Sequence, residues 1–242
     1  MATVLVAGGT GEAGRAVVAE LAGRGHDVRV LSRSGGGAVA GAHPVRADLI
    51  SGVGLADALR DVDVVVDTTD GKTRATRPVL TVGASNLIAA ADAAHVTRMV
   101  LLSIVNVDRG PLAYYRAKTD QENRYRAAAL DTRTVRATQF HSFVPMLCAP
   151  AARIGLLPAF TGTSFQPIDV SDVARALADA ADDRAPAPHL VGGPEILPMH
   201  EMVRQWKHAT GRRGAIARFP MPGSLGRFWR SGGNLAHDHR YG

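Results

Sequence analysis

The sequence predicts an α/β protein with a doubly wound parallel sheet and a small C-terminal lobe. Three observations carry this. Short apolar runs alternate with amphipathic stretches over the first 140 residues, a glycine-rich turn separates the first run from the first helix, and the alternation loosens after Pro145, Pro150 and Pro158. Strands alternating with helices require right-handed crossovers, which place a parallel sheet between two helical layers.

Thr3 to Ala7 reads as a buried strand, and Gly14 to Arg24 as a helix with Val17, Val18 and Leu21 on one face. Val28 to Leu31 is the second strand, Ser34 to Gly41 is too glycine-rich for regular structure, and Pro44 to Ala47 is a short third strand ending at Asp48. Leu55 to Arg60 reads as a brief helix and Val62 to Asp67 as the fourth strand. Pro78 to Ala94 reads as a long helix, because proline suits a first helical turn. Arg98 to Ser103 is the fifth strand, Tyr114 to Leu130 a helix and Thr134 to Ala137 the sixth strand. Beyond lie a strand at Phe165 to Ile168, a helix at Val170 to Ala181, a strand at His189 to Val191 and a helix at Met199 to Thr210. Gly232 to Gly242 is expected to be poorly ordered or to lean on a neighbouring chain.

Composition bounds the function. The 242 residues are 46% hydrophobic and 21% charged, a balance that buries a real core. The length divides into a sheet domain over residues 1–140 and a smaller lobe over 141–242, intimately packed on it. The net charge of +6 comes from scattered basic residues, which argues against a nucleic-acid partner. Cys148 is the one cysteine, so neither an intramolecular disulfide nor a cysteine metal cluster is possible, as befits a reducing compartment. No leader segment and no membrane-spanning apolar run is visible, so a soluble cytoplasmic monomer or homodimer is expected. His237-Asp238-His239 lacks spaced partners, so no metal is expected.

Gly8-Gly9-Thr10-Gly11-Glu12-Ala13-Gly14 lies between the first strand and the first helix. Glycines let a chain turn sharply and bring backbone N–H groups to a pyrophosphate, to which the helix N-terminus adds its dipole. This is a dinucleotide-binding turn. An acidic residue at the end of the second strand would select NAD(H) by binding the ribose 2′-hydroxyl. Here that end reads Ser32-Arg33-Ser34, and a guanidinium suits a 2′-phosphate, so NADP(H) is preferred. Asp48 is placed either to reach the adenine amino group or to cap a helix, and Thr68, after the fourth strand, joins the cofactor-binding set.

Ser103 ends the fifth strand, and Tyr114 and Lys118 follow at i and i+4 on one helix. An ammonium near a phenol favours the phenolate and lowers the tyrosine pKa, fitting Tyr114 to donate a proton to a carbonyl being reduced. Lys118 is also placed to hold the nicotinamide ribose, and Ser103 to bind the substrate oxygen. Gln139 and His141 follow the sixth strand, beside the expected nicotinamide. Asp169 and Asp172 open a helix and read as capping and dipole residues. Phe140, Phe143, Met146, Leu156, Leu157 and Phe160 supply an apolar pocket or core.

Together these motifs resemble the short-chain dehydrogenase/reductase superfamily, and Gly8 to Gly14 looks like its atypical or extended branch. With Tyr114 to Lys118, Glu122, Arg136 to His141, Gln166 to Ala174 and Gly192 to Glu195, the chain resembles the NmrA-like NAD(P)H-binding group over most of its length. The resemblance implies a Rossmann fold with a small substrate lobe. That group mixes reductases with cofactor-binding regulators that have lost the tyrosine, and Ser103, Tyr114 and Lys118 are all kept here. The expected function is NADPH-dependent reduction of a small apolar ketone, enone or quinone-like substrate. The alternatives are a redox sensor that holds NADP(H) without turnover, and a nucleotide-sugar epimerase or dehydratase.

Overall fold

Runs of β-branched and aliphatic residues favour extended chain that is buried on both faces. In the computed structural model, which describes residues 1–37, 39–183 and 189–237, these runs form β1 (Thr3–Ala7), β2 (Asp27–Ser32), β3 (His43–Arg46), β4 (Val64–Asp67), β5 (Arg98–Ile104) and β6 (Asp131–Ala137). They are joined by α1 (Glu12–Gly23), α2 (Leu55–Ala58), α3 (Ala84–Ala93) and α4 (Ala113–Ala127). The C-terminal part adds α5 (Phe143–Ala152), β7 (Leu156–Phe160), β8 (Ser164–Phe165), α6 (Val170–Ala181), β9 (Leu190–Val191), β10 (Leu197–Pro198), α7 (Met199–Thr210), β11 (Ala215–Phe219) and α8 (Gly223–Arg230).

Seven strands make one parallel sheet in the order β3-β2-β1-β4-β5-β6-β9. Strand order reverses between β1 and β4, and the crevice at the carboxyl ends there is where such sheets bind ligands. Side chains alternate between faces. Val4, Val6, Val30, Val66 and Val100 pack beneath α1 and α6, while Leu5, Leu31, Val65, Met99 and Leu101 pack on the opposite face with Leu87 of α3 and Tyr125 of α4. Burying each such side chain contributes roughly 1.5–3 kcal/mol. A second core gathers Val144, Cys148, Leu157, Phe160, Phe165, Met199, Met202, Val203 and Trp229 around β7, which pairs with β11. α6 and β9 contribute to the first core.

Several expectations need correction. The helix expected from Pro78 begins as one wide π turn, Val79–Gly83, before α3. A continuous apolar pattern does not encode the pitch of one turn. The prolines after residue 140 do not break the chain: Pro145 stands in the first turn of α5, where no N–H is needed, and Pro150 stands in the last. The strand expected at Phe165 to Ile168 pairs regularly only over Ser164–Phe165. β7, β11 and α8 were not expected.

Residues 232–236 pack on their own chain, while residues 238–242 of the stretch expected to be poorly ordered or to lean on a neighbour lie outside the described residues. Asn234, Leu235 and Ala236 are buried. Asn106 Nδ2 donates to the Leu235 carbonyl at 3.2 Å, Gln139 Nε2 to that of Asn234 at 3.1 Å, and Ala236 N to Gln166 Oε1 at 2.8 Å. Among the described residues, no helix is long and apolar enough to cross a membrane.

Candidate active site

The turn between β1 and α1 needs glycine for two separate reasons. Gly8 has φ +76°, and a Cβ there would stand 2.9 Å from the Thr68 backbone. At Gly14 the dihedrals are ordinary, but a Cβ would meet the Gly8 carbonyl oxygen at 2.2 Å, so only glycine lets α1 press onto the turn. Gly11 N donates to Gly8 O at 2.9 Å, and the first bond of α1 runs from Arg15 N to Gly11 O. The N–H groups of Glu12, Ala13 and Gly14 thus open the helix without helical partners, as an anion site requires. The Glu12 carboxylate accepts from Ser142 Oγ at 2.7 Å. Thr68 Oγ1 donates to the Ala7 carbonyl at 2.9 Å and ties the ends of β1 and β4 together at the reversal.

At the end of β2, Ser32 Oγ donates to Gly36 O at 2.9 Å, and Ser34 Oγ accepts from Gly36 N at 3.3 Å. These bonds fold residues 32–36 back and leave Arg33 exposed. Arg46, at the end of β3 in register with Ser32, is also exposed and was missed in the sequence. Neither guanidinium has a partner among the described residues. Asp48 caps a turn rather than a helix, Oδ1 accepting from Ile50 N at 2.7 Å and Ser51 N at 3.2 Å.

Ser103, Tyr114 and Lys118 lie where β5 meets α4. Ser103 is 2% exposed, and its Oγ has no partner among the described residues. Lys118 is buried at 3% exposure. Its Nζ donates to the Leu102 carbonyl at 2.7 Å and to Gln121 Oε1 at 2.8 Å, with a longer contact to Thr69 O at 3.4 Å. Gln121 Nε2 donates in turn to Asp67 Oδ2 at 2.9 Å, which also accepts from Tyr125 Oη at 2.7 Å. A buried ammonium is therefore linked through one amide to a buried carboxylate, the pairing that an interior charge demands. Burial pushes Lys118 below its ordinary pKa against the attraction of Asp67, Asp70 and Glu122.

The expected lowering of the Tyr114 pKa is not what the environment produces. Burial raises it, and the Asp70 carboxylate, to which the phenol hydrogen-bonds, raises it further. Lys118 directs its protons at carbonyl groups instead, and its three donors are taken. Tyr115 stacks toward α8, its ring centroid 5.9 Å from that of Phe228.

Of the remaining expected residues, Gln139 binds the Asn234 carbonyl, and its Oε1 is buried without a partner among the described residues. His141 is exposed. Asp169 caps α6, accepting from Ser171 N at 2.8 Å, and Asp172 pairs with Arg175. Phe143, Leu157 and Phe160 join the second core, Phe140 packs on the first, and Met146 and Leu156 are exposed. Asp238 and His239 lie outside the described residues, and no metal-holding cluster occurs among those described.

The NAD(P)H-binding family profile matches residues 8–184, which span the glycine turn, the strand reversal and the Ser103–Lys118 cluster. The chain belongs to the NAD(P)H-binding family. The NADPH-dependent quinone oxidoreductase QOR2 from Escherichia coli, complexed with NADPH, superposes with a TM-score of 0.76 at 16% identity, over 99% of this chain and 96% of that one. A UDP-glucose 4-epimerase from Brucella ovis in complex with NAD gives 0.76 at 18% identity, over 93% and 87%. A UDP-N-acetylglucosamine 4-epimerase from Methanobrevibacter ruminantium, in complex with UDP-N-acetylmuramic acid, gives 0.73 at 14% identity, over 93% and 87%. At these identities the likeness is one of fold. No protein of curated function matches the sequence.

This family member fits a nicotinamide dinucleotide at its glycine turn, because the first helical bond runs from Arg15 N to Gly11 O and leaves the N–H groups of Glu12, Ala13 and Gly14 without helical partners. Asp67, Gln121 and Tyr125, which hold Lys118, escaped the sequence reading. A signal was present: Lys118, Gln121 and Tyr125 are i, i+3 and i+7, a polar stripe on a helix face that is buried.

Proposed function

We propose that the protein is an NADPH-dependent reductase of a small ketone, enone or quinone-like carbonyl, with Tyr114 as proton donor. The observation that carries this reading is the buried Lys118 side chain one helical turn from Tyr114, together with the unpartnered Ser103 hydroxyl at the carboxyl end of β5. A buried lysine without a task is costly and rare. Bound NADPH supplies the hydride to the carbonyl carbon. Tyr114 gives its proton to the carbonyl oxygen, and Ser103 Oγ donates a hydrogen bond to the same oxygen. The substrate oxygen then takes the place of Asp70 as partner of the phenol. Lys118 stabilises the phenolate left behind through its field. Its longest contact, to Thr69 O at 3.4 Å, is the one that a ribose hydroxyl would replace.

NADP(H) is preferred over NAD(H) because Arg33 and Arg46 stand unpaired at the ends of β2 and β3, with no carboxylate there to bind a free ribose diol. Gly8 to Gly14, Ser32, Ser34, Asp48, Thr68, Gln139 and His141 complete the cofactor site, and the part beyond residue 140 supplies the substrate lobe. The buried Cys148 thiol, pushed up to about 11 by burial, suits a reducing cytoplasm and takes no part. The protein acts as a monomer or homodimer.

A second reading, cofactor sensing without turnover, is favoured by the Asp70 contact, which makes the resting phenol a weaker acid. An NADPH-oxidation screen over ketones, enones and quinones separates the two: tight NADPH binding with no oxidation of any carbonyl selects the sensor. Arg33→Ala is expected to weaken NADPH by roughly tenfold, the loss of a charge-assisted contact, with NADH unchanged. Tighter binding of NADH than NADPH by the native protein contradicts the cofactor assignment.

A further inference from the structure

A cavity of about 640 Å³ opens between the loop after β5, α8 and the terminal turn. That is the size of a site for a small organic molecule, roughly 300–1,000 Å³. Its polar lining is Asn106, Arg109, Ser224, Arg227, Ser231 and His237, and among the described residues no carboxylate lines it. Phe228 and Leu235 add apolar wall. The guanidiniums of Arg109 and Arg227 have no partner among the described residues. Asp108, the carboxylate next to Arg109 in the chain, is turned to Arg136 at 3.1 Å.

The position matters as much as the charge. Asn106 lies three residues after Ser103, and Pro111 lies three before Tyr114, so one loop links this cavity to the candidate active site. Phe228 lies between the cavity and Tyr115, which in turn stands 5.7 Å from Tyr114. Guanidiniums recognise planar and tetrahedral oxyanions through paired N–H donors, and an aromatic wall accepts an apolar body.

We propose that this cavity binds a small organic acid with an apolar body, Arg109 and Arg227 taking its carboxylate or phosphate group. The reduced substrate is then a carbonyl compound that carries an acidic group. The binding site stands on its own geometry, and only its role in the reaction rests on the reductase reading.

Titration calorimetry with benzoate, phenyl phosphate and neutral methyl benzoate tests the site. The expected result is saturable binding of at least one aryl anion and none of the ester. The double variant Arg109→Ala/Arg227→Ala should weaken that binding by tenfold or more, as the loss of charged hydrogen bonds implies. Both residues are exposed, so the fold should survive, and an unchanged NADPH affinity in the variant checks this. Equal affinity for benzoate and its ester, or anion binding unaltered in the double variant, overturns the site. For the reaction, 4-formylbenzoate should exceed its methyl ester in kcat/KM, with the ratio falling toward one in the double variant. Turnover of neither aldehyde counts against the reductase reading, while the titration still decides the cavity.

Discussion

At the turn between β1 and α1 the groups presented to a cofactor are backbone N–H donors, held in place by glycines a few residues apart. At the carboxyl end of β5 they are side chains, and what fixes them comes from β4, β5 and α4 together: Asp67 and Thr69, the Leu102 carbonyl, and Gln121 with Tyr125. The first arrangement is mostly local, with Thr68 of the neighbouring strand end pressed against Gly8. The second exists only once the sheet has formed, because Asp67 and Gln121 are 54 positions apart. A Rossmann-type fold can therefore keep its cofactor turn while its chemistry changes, since the two depend on different contacts.

The sharpest way to break the turn alone is Gly14→Ala. The added methyl would stand 2.2 Å from the Gly8 carbonyl oxygen and push α1 off the turn. Overpacking of this kind costs about 1–3 kcal/mol, so NADPH affinity measured by fluorescence titration should fall about ten- to hundredfold. Affinity within twofold of the native protein would mean that the turn does not hold the pyrophosphate.

The sharpest way to break the second region alone is Gln121→Leu. It strips the buried Lys118 ammonium and the Asp67 carboxylate of a shared partner at nearly constant volume. The expected loss in urea denaturation is about 1–3 kcal/mol, with the glycine turn intact and NADPH still bound. An unchanged denaturation midpoint would mean that Lys118 does not need the relay.

These outcomes bear on how much could be read from the sequence. The strands, the turn and the Tyr114–Lys118 spacing were legible because each is set by neighbours in the chain. α6 and the capping role of Asp169 were legible for the same reason. Asp70 was not, because nothing in its own surroundings points to Tyr114, where it adds to the rise that burial produces. α5 was obscured by its prolines, of which Pro145 stands in the tolerant first turn and Pro150 inside the helix, and the burial of residues 234–236 by a glycine-rich approach that looks loose until Gln139 and Gln166 receive it. Arg46 acquires its place from the register of β2 with β3, which a single sequence does not state.

A smaller effect separates the two roles of the phenol's surroundings. A carboxylate beside a phenol disfavours the phenolate, so Asp70→Asn should lower the Tyr114 pKa. Because the reductive step needs the protonated phenol, activity persists below that pKa and is lost as pH rises through it. The alkaline limb of kcat/KM should therefore lie at lower pH in the variant than in the native protein. A limb that stays in place would remove Asp70 from the account.

Tyr114→Phe, assayed for NADPH oxidation with the best carbonyl substrate and for NADPH affinity in the same preparation, tests proton donation by Tyr114 most directly. The predicted result is a loss of at least about 10² in kcat with cofactor affinity unchanged. Turnover equal to that of the native protein would contradict it.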